Sequence, residues 1–279
     1  PSPQSYLDAY QGGEEDIYVV TLSALLSGSH NCAEQAKALL EEESPERNVH
    51  VFNSCSAAGG EVLIALKIRE LASTGMPFKR VVREVEQYIY QLQTLFVLES
   101  LENLRKNGRL TRVQSVVTGA LRIKLFMGAT PEGEICKLGQ ALTMKQALGK
   151  LVDRMAADPD HQGRVAAVCH CNCLERAFAL KEQIEAHGLK FELVDSFRIH
   201  EDIKRGYASR DALIENYRKN IRMLAECGIR IICYNFMPVF DWTRTDLAHV
   251  LPDGSDCLSF EEEKVRAVDP ERGIELPGW

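Results

Sequence analysis

The stretch ALKEQIEAHGLK, residues 179–190, closes one helix and opens one strand. GRVAAVCH (163–170) before it reads as a strand, and KFELVDSFRIH (190–200) after it reads as a strand plus a turn. Ala177, Leu180 and Ile184 fall at helical spacing, giving the helix one apolar face. Asn172 with Glu175 three residues later resembles a capping box, so the helix is expected to start near Asn172 or Cys173. Gly188 stands where a left-handed C-cap is wanted, with Leu189 placed to pack back on the helix.

The same order continues outward in both directions. DIYVVTLS (16–23), a helix around 31–43, NVHVFNS (48–54) and a helix over about 59–74 give a β-α-β-α succession. That succession favours parallel strands joined by helical crossovers, hence an α/β fold. A long helix over about 78–93 leads into the strand TLFVLES (94–100), and residues 101–121 read as helical on both sides of Gly108. RIKLFMGA (122–129) and EICKLGQALT (134–143) form a hairpin pattern around Pro131-Glu132-Gly133, followed by a helix over 145–158. Further on, SRDALIENYRKNIRMLAECG (209–228) is helical, with Ser209 as N-cap and Gly228 as C-cap. Its apolar stripe is Leu213, Ile214, Tyr217, Ile221 and Leu224. IRIICYNF (229–236) reads as a buried strand, and the chain from Met237 as loop-rich, with Pro238, Pro252-Asp253-Gly254 and Pro270.

Composition narrows the classes of function. A net charge of −7 gives no reason to expect a nucleic-acid partner. No apolar run approaches the roughly 18 residues of a membrane span, and no signal peptide opens the sequence. Nine scattered cysteines fit free thiols in a reducing, cytoplasmic setting. Cys169, His170, Cys171 and Cys173 invite a zinc reading, but alternation along a strand puts them on both faces and no second ligand pair follows. The run reads better as a strand end passing into a helix cap.

Four blocks carry a resemblance over about two-thirds of the chain. LSALLSGSHNCAEQA (22–36), VFNSCSAAGGEVLIA (51–65), LESLENLRKNGRLTRVQSVVTGALRIK (98–124) and VCHCNCLERAFALKEQI (168–184) resemble, in order and spacing, the DegV family. Ser29 stands where that family usually has Thr, Asn53 where it has Asp, and Leu125 where it has Pro. The resemblance implies a protein that binds a long-chain fatty acid and, in some members, presents it to the catalytic subunit of a fatty acid kinase. Ser27, Gly28 and Ser29 are the expected head-group contacts, because a hydroxyl-bearing loop at a helix N-terminus suits a carboxylate. Taken alone, the same three residues read better as an N-cap with a tight turn than as a binding loop. The family's Thr-Ser pair falls before the position of Pro1, and its first strands and its later ending are missing.

A second set of segments points elsewhere. RIHEDIKRG (198–206), ENYRKNIRMLAECGIRIICYNFMPVFDWTRTDLAHVLPDGS (215–255) and GIELPGW (273–279) resemble mannonate dehydratase. That family has a (β/α)8 TIM barrel and uses a divalent metal, Mn2+, to turn D-mannonate into 2-keto-3-deoxygluconate and water. This segment would supply a two-strand piece of such a barrel. His200, Tyr234, Asn235, Asp241 and Arg244 are its candidate sugar-acid contacts, each read equally as part of a loop with surface ion pairs. The family's metal ligands and acid-base residues fall beyond Trp279, so no metal or other cofactor is expected on this chain, and it is expected to be inactive as a dehydratase. ALKEQIEAHGLK suits both families, which puts the join at roughly 176–189. The organisation expected is a partial DegV N-terminal α/β domain over 1–75, a partial DegV C-terminal α/β domain over 76–182 and a partial barrel segment over 183–279. The sequence starts Pro1-Ser2-Pro3 without Met and stops at Leu276-Pro277-Gly278-Trp279, so truncation at both ends is also expected.

Overall fold

Strand β1 (Asp16–Thr21) lies parallel to β2 (Asn48–Asn53), in a register that sets Asp16 opposite Asn48 and Thr21 opposite Asn53. The structure is a computed structural model and describes residues 2–12, 15–100, 123–169, 174–195, 199–226, 229, 231–232, 234, 245–250, 256–259 and 261–268. The chain divides into two compact units, one of residues 1–197 with 227–233, the other of 198–226 with 234–279. These units follow contacts, whereas the three segments drawn from sequence follow resemblance, so their boundaries differ.

In the first unit, alternation along β1 and β2 feeds two cores. Ile17, Val19 and Val49 face α1 (Pro3–Tyr10) and α2 (Ser29–Glu43), where Leu7, Tyr10, Ala36 and Leu40 are buried. Tyr18, Val20 and Phe52 face α3 (Gly59–Ala72) and α4 (Phe78–Gln91), against Ile64, Ile68, Val81, Val85 and Ile89. Burying each large aliphatic side chain contributes about 1.5–3 kcal/mol.

The second sheet is antiparallel, in the order β3 (Leu95–Val97), β4 (Lys124–Ala129), β5 (Ile135–Ala141). The hairpin turn falls at Pro131-Glu132-Gly133, closed by Gly133 N–H donating to the Thr130 carbonyl at 2.9 Å. Helix α5 (Met144–Ala156) follows, its start fixed by a reciprocal cap: Thr143 Oγ1 accepts from Gln146 N–H, and Gln146 Oε1 accepts from Thr143 N–H. The expected helices over 101–121 and the expected cap at Asn172 lie outside the described residues.

The third sheet is parallel, in the order β6 (Val165–Cys169), β7 (Lys190–Asp195), β8 (Ile231–Ile232). Helix α6 (Leu174–Ala186) crosses from β6 to β7 with Ala177, Leu180 and Ile184 buried, the expected stripe. Its end is a Schellman turn: Gly188 takes φ 82°, its N–H reaches the Glu185 carbonyl at 2.9 Å, and Leu189 N–H reaches the Ile184 carbonyl at 3.4 Å. Glu99, just past β3, holds Lys124 at 2.6 Å and Arg176 of α6 at 2.8 Å. The hydrogen bonds from Lys124 first and Arg176 second hold its carboxyl below the usual range. Strand β8 is half-buried and shorter than the buried run read from the sequence.

The second unit contains α7 (Glu201–Arg205), α8 (Arg210–Glu226), the antiparallel pair β9 (Asp246–Val250) and β10 (Asp256–Ser259), and α9 (Glu262–Arg266). Ser209 occupies the cap position of α8, since its carbonyl accepts from Leu213 N–H at 3.1 Å, but its hydroxyl donates to Asp202 instead. Of the stripe on α8 only Leu224 is fully buried, and Ile221 is exposed. The reading of this tail as loop-rich gives way to a hairpin and a short helix. Pro252-Asp253-Gly254, between two short apolar runs, is itself a hairpin signal. Among the residues from 245 onward whose burial is described, Thr245 alone is buried. Limited proteolysis should therefore cut within 237–279 well before 123–169; equal survival of the two stretches would contradict this packing.

Candidate anion-binding site

Because β1 and β2 are parallel, the loops that leave them emerge on one edge, and α2 and α3 both start there. Ligands of open parallel sheets gather beyond the carboxyl ends of the strands, where helix N-termini supply unpaired N–H groups. The loops at this edge are tied together. Ser23 N–H donates to the Ser56 carbonyl at 2.9 Å, and Ser54 N–H to the Thr21 carbonyl at 3.3 Å. The amide oxygen of Asn53 accepts from Ala24 N–H at 3.0 Å and from Cys55 N–H at 3.3 Å, so it is shared between the two loops.

Beneath the edge lies a layer of hydroxyls. Thr21, Ser23, Ser54 and Ser56 are buried. Thr21 donates to the Phe52 carbonyl at 3.2 Å, which leaves its oxygen to accept from Nδ1 of His30 at 3.1 Å. Ser54 donates to the Ser56 carbonyl at 3.1 Å, and Ser56 pairs with Thr94 at 2.6 Å. Two residues of the second loop, Cys55 at φ 49° and Ala58 at φ 54°, hold the left-handed region without being glycine. Burial, with Glu86 and Glu132 nearby, pushes the Cys55 thiol up.

The predicted trio sits on the outer rim of this layer. Ser27 and Ser29 are half-buried and Gly28 is exposed at the N-cap of α2. Ser27 Oγ accepts from Ser29 N–H at 3.2 Å, and Ser29 Oγ pairs with the Tyr6 hydroxyl of α1 at 2.5 Å. Both readings of the trio are thus present in one place: a capping turn, and hydroxyls at a positive helix end. A Cβ added to Gly28 would meet nothing within 4 Å, so the space above it is open. A depression of about 450 Å3 elsewhere in this unit, walled by Leu142, Gln146, Lys150 and Asp153, does not include the serine loop.

Of the sugar-acid candidates, His200 and Tyr234 are described, and Asn235, Asp241 and Arg244 lie outside the described residues. His200 caps α7, its Nδ1 accepting from Asp202 N–H at 3.1 Å. Tyr234 is exposed; burial first, and charge repulsion from Tyr234 second, push the Tyr217 phenol up. Among the described residues no three His, Cys, Asp or Glu side chains gather to hold a metal ion. Among the same residues no helix is long and apolar enough to cross a membrane.

Sequence reading missed Ser23, Ser54, Ser56 and the Tyr6 link. One signal was available: Ser54 and Ser56 follow β2 as Ser27 and Ser29 follow the first strand and its loop.

The arrangement defines a class: an α/β protein of parallel and antiparallel sheets, with a hydroxyl-lined, helix-facing edge suited to an anion. Comparison with known proteins gives the family. The DegV family model matches residues 1–199, and the chain belongs to that family. The model for D-mannonate dehydratase (UxuA) matches residues 161–279, so the two matches overlap over 161–199. A DegV-family crystal structure from Ruminococcus gnavus, refined with vaccenic acid, is 47% identical, with a TM-score of 0.65 and 70% of each chain covered. The Streptococcus pneumoniae fatty acid kinase B3 protein, loaded with linoleic acid, is 32% identical, with a TM-score of 0.62 and 69% of each chain covered. Mannonate dehydratase of Streptococcus uberis is 57% identical over 106 residues, 38% of this chain and 30% of that enzyme. The enzyme of Geobacillus thermodenitrificans is 43% identical over 143 residues, 46% of this chain and 38% of that enzyme. The chain thus spans 30–38% of the length of these two dehydratases.

The tip of the β4–β5 hairpin is wedged into the same edge. Ser23 Oγ donates to the Gly133 carbonyl at 2.8 Å. Gly133 takes φ 87°, and a Cβ there would lie 2.3 Å from Ser23 Oγ and 2.6 Å from Cys55 Cα. Gly133→Ala should cost on the order of 2–4 kcal/mol, from the left-handed backbone and the overpacking together. Urea unfolding checks this, and an unchanged midpoint would mean that the tip is not wedged.

Proposed function

We propose that this chain binds the carboxylate of a long-chain fatty acid at the serine loop between β1 and α2. The observation that carries the reading is the serine loop itself, in a chain of a family whose relatives hold vaccenic and linoleic acids. Ser29 begins α2, and His30 and Asn31 follow in its first turn, where backbone N–H groups lack intrahelical acceptors. The N–H groups of His30 and Asn31, with the hydroxyls of Ser27 and Ser29, form a donor set for a carboxylate, and the open space above Gly28 admits it. We further propose that the bound acid is offered to the catalytic subunit of a fatty acid kinase, a role that belongs in the cytoplasm. The relative named as a fatty acid kinase B3 protein supports that partner.

Delipidated protein titrated with palmitate tests this reading. Ser29→Ala should weaken binding roughly ten- to hundredfold, the worth of a hydrogen bond to a charged group. Wild-type protein that binds no palmitate would overturn it.

The match to mannonate dehydratase favours a second reading for residues 161–279. Strands β7 and β8 keep the parallel order of neighbouring barrel strands, yet β7 also pairs with β6 in the first unit. We propose that this segment does not dehydrate D-mannonate on this chain. An assay with D-mannonate and Mn2+ should yield no 2-keto-3-deoxygluconate, and measurable product would restore the dehydratase reading.

A further inference from the structure

We propose that Tyr6 is a positioning residue that makes Ser29 a hydrogen-bond donor toward a carboxylate, and so sets the preference of the site for an ionised head group over a neutral one. The inference rests on the fatty-acid reading of the serine loop. Tyr6 comes from α1, 23 positions before Ser29, and its hydroxyl lies 2.5 Å from Ser29 Oγ. Its ring is half-buried against Tyr10 at 6.1 Å, and Tyr10 is itself anchored by donating to the Ala33 carbonyl at 3.1 Å. The phenol oxygen therefore comes from a packed helix and is held in place beside the start of α2.

Each hydroxyl of the pair can donate one hydrogen and accept others, so the direction between them decides what Ser29 offers outward. A phenolic O–H is a better hydrogen-bond donor than an alkyl hydroxyl, because its oxygen shares charge with the ring. Tyr6 thus donates and Ser29 accepts, which fixes the Ser29 oxygen and leaves its own hydrogen free for another acceptor. A hydroxyl that accepts a hydrogen bond becomes a stronger donor itself. Without the phenol, the Ser29 hydroxyl rotates freely and is not committed to donation. The Ser29 N–H takes no part in this pair, since it donates to Ser27 Oγ at 3.2 Å. A carboxylate accepts only, so it gains from a committed donor, whereas a fatty alcohol can donate or accept and gains little.

The test is Tyr6→Phe, which removes one oxygen and keeps the ring pair with Tyr10. Titrations with palmitate and with hexadecanol are compared for wild type, Tyr6→Phe, Ser29→Ala and the double variant. The expected result is about tenfold weaker palmitate binding in Tyr6→Phe, in keeping with one hydrogen bond to a charged group, with hexadecanol changed by less than about twofold. In the Ser29→Ala background the Tyr6 change should have no further effect. Equal losses for both ligands, or an undiminished loss without Ser29, would make Tyr6 merely structural and overturn the proposal. Unchanged palmitate affinity in Tyr6→Phe would overturn it too, while leaving the fatty-acid reading intact. Wild type that fails to bind palmitate would remove that reading and the inference with it.

Discussion

The parallel ladder between β6 and β7 is the constraint on which this chain depends. Val165 pairs with Lys190 and Cys169 with Asp195, and the two family matches overlap across these strands and the helix between them. Backbone hydrogen bonds carry no family signature. A strand that joins a parallel sheet needs apolar side chains and a crossover helix of the right hand, and both a DegV sheet and a barrel are built of such units. Helix α6 meets that need with Ala177, Leu180 and Ile184 inward and a Gly188 turn that aims the chain back at β6. Sequence from two families can therefore meet here without a break in local structure.

The same geometry places the candidate site. Parallel pairing of β1 with β2 brings two β-to-α loops to one edge, and each loop carries serines. Asn53 then serves both loops with a single amide oxygen, and Ser23 fastens the β4–β5 hairpin across the gap. Buried hydroxyls in this layer are held by partners, which is what permits them to be buried at all. The rim residues Ser27 and Ser29 differ because they stand half in solvent at a helix end, where an incoming anion can compete for their hydrogens.

What was legible in the sequence tracks the range of the forces involved. The Gly188 cap, the Pro131-Glu132-Gly133 turn and the stripe on α6 are set by residues within a turn or two, and all three are found as read. The hairpin β9–β10 was also locally encoded, but two flanking strands of five and four residues are too short for alternation to stand out. Ser29 was readable as a candidate, whereas its partner Tyr6 was not, because the pair is made by α1 packing on α2. Ser23, Ser54 and Ser56 look like ordinary loop serines until the sheet sets their loops side by side. The pairing of β8 with β7, across the two helices of 201–226, is likewise a tertiary fact.

One contact links the shared strand to the site. Gly59, the first residue of α3, donates its N–H to Cys169 Sγ at 3.2 Å, and a Cβ on Gly59 would lie only 2.8 Å from the Ala167 side chain. The start of α3 thus rests directly on β6, and it is the loop before α3 that carries Ser54 and Ser56. Strand β6 can support that loop only if residues 167 and 169 stay small on the face they turn to Gly59, since backbone meets side chain there with no room to spare. Both family matches cover this position, but the sheet geometry alone does not guarantee small side chains on that face. The identity of two residues in β6, rather than the family from which the rest of the third sheet descends, decides whether the hydroxyl layer keeps its shape.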